Sequence, residues 1–260
     1  MKMEEFEVIK EKWKQYFSVA EDNMKSHTGK KVLIECAAQH PLVNGEFPAV
    51  EFENRLKFSF ELYKKYRKEG FDVKIYVPGS RHKFNEVCDK ISLSLAGKKY
   101  LIGLGMSPSD IYSVQNNFEH KGFFGVYNSA DECYVASEIF KTEGFDKLIS
   151  VGSPAQMYRK TLFYVKNGVL PLNFSVPTEN MFHSYYGEIF NDIPRVIESD
   201  DDCQNSESQI AVHSRNERCP YLKNKIKNLS EMNELNFDLS EFEIDKNELE
   251  EDKKLQNTLK

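Results

Sequence analysis

Three short apolar runs constrain this chain more than any other feature: residues 31–37, 72–77 and 146–151. The second ends in Pro78-Gly79-Ser80 and the third runs into Gly152-Ser153-Pro154. Between them lie longer stretches with apolar residues at helical spacing. Short strands alternating with helices of about ten residues or more point to βαβ units and a mostly parallel sheet. The expected fold is therefore α/β and Rossmann-like, with a mostly parallel central sheet flanked by helices, an N-terminal helix and an acidic C-terminal extension.

The helical pattern begins over residues 4–26, where Phe6, Ile9, Trp13, Tyr16 and Phe17 recur on one face. Residues 50–68 form a second helix with Gly70 as its natural stop. A third helix is expected from Lys83 to Leu95, with residues 99–103 as an edge strand or a packed loop and residues 103–127 irregular. Ser129 with Glu132 makes a capping-box pattern at the head of a helix over 129–142. A further helix spans 155–166, with Ser153 as N-cap and Pro154 in the first helical position. A last strand is expected over 169–176, and Pro171 argues for an edge position or an irregular end.

Charge is distributed unevenly. Residues 198–260 carry 16 acidic and 9 basic side chains, a net of −7, so with −6 overall the first 197 residues carry +1. The division expected is an α/β domain with its N-terminal helix over 1–197 and an acidic, partly irregular extension over 198–260. A net acidic chain argues against a general nucleic-acid surface. No apolar run approaches a membrane span, and the charged start Met-Lys-Met-Glu-Glu lacks an apolar signal core, so a cytoplasmic location is expected. The five cysteines form no CxxC pair, and neither a disulfide framework nor a metal site is indicated.

In an open parallel sheet, ligands bind beyond the carboxyl ends of the strands. Residues 35–40, 78–82 and 150–156 fall there, together with 128–132 at the head of the helix before the third run. The strand-to-helix turn at Gly152 and Ser153 leaves free N–H groups at a helix start, which favours an anion. Gln156 and Arg159 follow in that helix, and Arg55, Gly79, Ser80, Asn128 and Ser129 complete the ligand-binding set. His40, His82, Glu86 and Glu132 are the acid/base candidates. Each feature also has a purely structural reading, as a helix cap, a salt bridge or a turn. There is no P-loop and no GxSxG elbow, and Gly103-Leu-Gly105 lacks the third glycine of a dinucleotide fingerprint.

In the order of these segments the chain resembles the YdcF/SanA/ElyC-like family of α/β domains over residues 31 to about 177. The family's helix-borne arginine is matched by Arg55, its second strand turn by Pro78-Gly79-Ser80 with Glu86 following, and its third motif by residues 128–132. The fourth motif corresponds to residues 150–159. The departures are Cys36-Ala-Ala-Gln-His40 where a Gly-rich end is usual, Cys133 for the last Asn of the third motif, and Gln156 for a His. The resemblance implies a nucleotide or S-adenosylmethionine as ligand, with the cofactor otherwise unknown.

The function expected is binding of a nucleotide-like or phosphorylated small molecule at the carboxyl end of the sheet, with group transfer or hydrolysis as its extension. The alternative is a regulatory module that docks a protein partner, or a second copy, through the acidic-hydrophobic residues 235–244. An S-adenosylmethionine-dependent methyltransferase is a third reading, on family analogy alone.

Overall fold

The computed structural model describes residues 3–39, 42–81, 83–84, 87–113, 119–120, 123–124, 126, 128–177 and 193–198. In chain order the elements are α1 (Met3–Lys25), β1 (Lys31–Cys36), α2 (Val50–Lys68), β2 (Asp72–Val77), β3 (Lys83–Phe84), β4 (Val87–Cys88) and α3 (Leu93–Gly103). A 3-10 turn at Pro108–Asp110 leads into β5 (Ile111–Ser113), β6 (Glu119–His120) and β7 (Phe123–Phe124). Then come α4 (Ser129–Thr142), β8 (Lys147–Gly152), α5 (Pro154–Lys166), β9 (Leu172–Ser175) and α6 (Ile193–Glu198).

The central sheet has five parallel strands in the order β5-β2-β1-β8-β9. The chain builds outward from β1 through β2 to β5, then returns to the other side of β1 to lay down β8 and β9. Strand order therefore reverses between β1 and β8, the switch point at which open α/β sheets leave a crevice. The α/β, Rossmann-like expectation holds in both the parallel sheet and the N-terminal helix.

Side-chain alternation divides the core into two layers. Val32, Ile34 and Cys36 of β1, with Val73, Ile75 and Val77 of β2, pack under Phe52 and Leu56 of α2 and Leu95 and Leu101 of α3. Leu33, Tyr76 and Leu148 face the other way, toward Trp13 of α1, Phe140 of α4 and Phe163 of α5. Trp13 also donates its indole N–H to the Ile197 carbonyl at 3.1 Å, tying α1 to α6. By the same alternation Glu35 points into the second layer, where an apolar side chain is expected.

The predicted helices over 4–26, 50–68, 129–142 and 155–166 and the strands at 31, 72 and 146 are found within a residue or two. Gly70 stops α2 with φ +84°, and β9 lies at the edge as Pro171 implies. The stretch 83–103 differs from expectation. The hairpin β3–β4 occupies its start, and the helix begins only at Leu93. Ser92 caps it, accepting the Leu95 N–H at 3.1 Å. Asp89 anchors the hairpin from outside: its carboxylate accepts the Leu42 N–H at 2.9 Å and its carbonyl accepts from Arg81 Nε at 2.6 Å. These are tertiary bonds that no local pattern announces. Residues 99–103, expected as an edge strand or loop, are the end of α3, and β5 emerges from the stretch read as irregular. Among the described residues no helix is long and apolar enough to cross a membrane. The acidic stretch beyond Glu198 lies outside the described residues.

Asp110 ties the edge strand to α2. Its carboxylate accepts from Tyr63 Oη and from Lys74 Nζ, each at 2.7 Å. Burial alone would raise its pKa, but the Lys74 and Tyr63 hydrogen bonds overcome that and leave it lowered. A depressed folded pKa contributes stability above the unfolded value of about 3.9, lost as pH falls through the folded one. Asp110→Asn should cost about 1–2 kcal/mol at neutral pH and flatten the fall in stability below about pH 4, as urea titrations across that range will show. An unchanged acid limb would mean that Asp110 does not contribute to it.

Candidate functional site

Three loops meet at the carboxyl end of the sheet because small residues let them. Ala37 N–H bonds the Val151 carbonyl at 2.8 Å, which carries the β1–β8 pairing one residue past the strand. A methyl group added at Gly152 would lie 3.4 Å from Ala37 Cβ. Gly79 has φ +104°, and a Cβ there would fall 2.8 Å from Leu93 Cβ and 3.1 Å from Ala38 Cβ. Only glycine satisfies both that backbone and that gap. Ala37 and Ala38 are thus held between the turns after β2 and β8.

Arg55 reaches this loop from the first turns of α2. It is 2% exposed, and its Nη1 donates to the Ala37 carbonyl at 3.3 Å and the Ala38 carbonyl at 3.2 Å. Its Nε has no hydrogen-bond partner, and no carboxylate pairs with it among the described residues. Burial lowers its pKa, partly offset by Cys36, Glu132, Glu51 and Glu35 nearby. Cys36 itself is pushed up to about 12 by burial, so its thiol is a packing group.

Across the crevice α5 begins at Pro154 with Ser153 as N-cap. The Ser153 N–H donates to Gln156 Oε1 at 3.4 Å, one half of a capping box. Gln156 therefore holds the turn from within. The N-terminal end of this 13-residue helix, directly after β8, carries the partial positive charge of the helix dipole.

Beneath these loops lies a buried ionic cluster that the sequence reading did not contain. Lys160 Nζ donates to Glu35 Oε1 at 2.8 Å and to Glu132 Oε2 at 2.7 Å. The side chains of Lys160 and Glu35 are 0% exposed and that of Glu132 12%. Ser150 Oγ donates to the other Glu35 oxygen at 2.8 Å. In register, Tyr76, Glu35 and Ser150 stand side by side on β2, β1 and β8. The buried Tyr76 hydroxyl has no hydrogen-bond partner among the described residues, and its pKa is raised well above normal by burial and the nearby carboxylates. Burial by itself would lower the Lys160 pKa, but Glu132 and Glu35 outweigh it and leave it raised. The one local signal for this cluster was Glu35, a charge inside an otherwise apolar strand. Lys160 is indistinguishable by sequence from a surface lysine.

The anticipated residues divide as follows. Arg55, Gly79, Gly152, Ser153 and Gln156 lie at the carboxyl end of the sheet. Asn128 and Glu132 lie at the head of α4, where the expected capping pattern is corrected. Asn128, not Ser129, is the N-cap, with its Oδ1 accepting the Asp131 N–H at 2.9 Å. Glu132 turns inward to Lys160 instead of back to the cap, because a buried ammonium outcompetes a backbone N–H. Ser129 is the first helical residue. Ser80 is occupied by structure: its N–H donates to the Val126 carbonyl and its Oγ accepts the Val126 N–H, both at 2.8 Å. Arg159 is partly buried and already engaged in an interaction. His40, His82 and Glu86 lie outside the described residues. Among the described residues no group of three His, Cys, Asp or Glu side chains is placed to hold a metal ion.

The fold and crevice define a doubly wound α/β protein with a polar switch point. No family model, curated protein or solved structure matches the chain.

Removing one partner of a buried ion pair leaves an uncompensated charge, at about 3–5 kcal/mol. Lys160→Met should lose that much in denaturant titration, and adding Glu35→Gln should recover part of it. Strict additivity of the two substitutions would refute direct coupling.

Proposed function

We propose that the crevice between β1 and β8 binds a small anionic molecule, phosphorylated and nucleotide-like in class. The observation that carries this reading is Arg55. A guanidinium 2% exposed, bonded among the described residues only to two carbonyls and paired there with no carboxylate, is a buried cation without a direct counter-ion. Such a charge is expensive unless an anion joins it. The start of α5 supplies a second positive element at the same switch point, and the small residues at 37, 38, 79 and 152 let the loops that carry these groups pack closely together. The order of motifs shared with the YdcF/SanA/ElyC-like family supports the same position. The reading is one of binding, since Gln156 stands where a histidine would supply acid or base.

Ligands that bind only the native state raise the melting temperature. A thermal-shift screen of the full chain against inorganic phosphate, adenosine mono- and diphosphate, a nucleotide sugar and S-adenosylmethionine should give a rise with phosphate-bearing compounds. Asp caps helices as well as Ser does, so Ser153→Asp retains the cap while placing a negative charge at the anion position. Its affinity for the best ligand should fall roughly tenfold or more in calorimetry, about 1.4 kcal/mol. No thermal shift with any phosphate compound, or unchanged affinity in Ser153→Asp, would overturn the proposal. A rise with S-adenosylmethionine alone would favour the methyltransferase reading.

A further inference from the structure

We infer that the anionic group bound beside Arg55 carries a single negative charge, so that the ligand is a phosphodiester and not a phosphomonoester. The inference rests on the anion reading of the crevice and names the charge and chemical class of that ligand.

The charged groups around Arg55 come from four elements. Glu51 lies one helical turn before it on α2. Glu51 Oε2 accepts from Gln39 Nε2, which holds this carboxylate against the residue that follows Ala38. Arg55 itself donates to the Ala37 and Ala38 carbonyls, so both side chains are tied to the same short segment. Glu35 stands on β1 two residues before Ala37, and with Glu132 of α4 it clamps Lys160 of α5. Burial lowers the pKa of Arg55, while Cys36, Glu132, Glu51 and Glu35 act against that. Cys36 is neutral near pH 7, because burial pushes its thiol up to about 12.

Formal charges near the guanidinium are therefore two cations, Arg55 and Lys160, against three carboxylates, Glu35, Glu51 and Glu132. Lys160 is already paired with two of those carboxylates. Arg55 keeps an Nε–H with no partner among the described residues, and the start of α5 adds roughly half a positive charge. One negative charge is matched by these groups. A second would meet no further cation and would lie beside a surplus of carboxylate, where burial weakens screening by water. A phosphomonoester is doubly charged above its second pKa of about 6, whereas a phosphodiester carries one charge on either side of it.

The test uses adenosine 5′-monophosphate and its methyl ester, which share base and sugar and differ in phosphate charge, with inorganic phosphate as a third probe. In calorimetry of the full chain at about pH 8, the methyl ester should bind roughly tenfold or more tightly than the monophosphate. At about pH 5 the monophosphate gains a proton, and the gap should close to within about threefold. Glu51→Gln removes one carboxylate and keeps an acceptor for Gln39, so it should narrow the gap at about pH 8 by roughly threefold or more. Because the readout is a ratio, a general change in anion affinity cancels from it. If the monophosphate or inorganic phosphate binds as tightly as the methyl ester at the higher pH, the single-charge inference is refuted and the anion reading stands. The same holds if the preference persists at the lower pH or is unchanged in Glu51→Gln. If none of the three binds the wild type, the anion reading fails and this inference with it.

Discussion

Lys160 is the constraint on which the carboxyl end of the sheet depends. Its ammonium is sealed from water between a carboxylate from the central strand and one from α4. Desolvating three charges is costly, and the cost is met only while all of them keep their geometry. The cluster therefore couples β1, α4 and α5, three elements from distant parts of the chain. It also spans the place where strand order reverses. An apolar trio of similar volume would pack these elements together without fixing the geometry of a carboxylate at the head of α4.

The crevice is shaped by a second constraint, the close approach of backbone to backbone. Ala37 and Ala38 are wedged between the turns after β2 and β8, where Gly79 and Gly152 stand. Larger side chains at these positions would separate the loops and withdraw the carbonyls that hold Arg55. Arg55 and Lys160 are both buried cations, but they are satisfied differently. Lys160 has two carboxylates, whereas Arg55 has two carbonyl oxygens and no formal counter-charge among the described residues. That asymmetry is the basis for proposing an anion beside Arg55.

Much of the scaffold was legible in the sequence. The apolar runs at 31, 72 and 146, the amphipathic helices between them and the Gly-Ser-Pro turn are local patterns, and each appears within a residue or two of its predicted place. Residues 83–95 are the exception: their pattern predicts a helix from Lys83, whereas α3 begins ten residues later at Leu93. The hairpin that replaces its beginning is held by Asp89 to Leu42 and Arg81, across loops that sequence periodicity does not register. Glu132 shows the same limit in the site. Its spacing from Ser129 reads as a capping box, but the partner it takes is 28 residues away.

By itself the sequence determined the class of fold, the direction of the strands and the four segments that gather at one end of the sheet, because hydrophobic period and turn chemistry are local properties. Tertiary structure alone decided which of those residues meet. It buried Lys160 between Glu35 and Glu132, left Arg55 without a carboxylate among the described residues, diverted Ser80 to Val126 and bound Gln156 into a helix cap. The physical reason is that the preference of a charge or a hydroxyl is settled by what surrounds it after burial, when water is removed and only the nearest polar group remains to answer it.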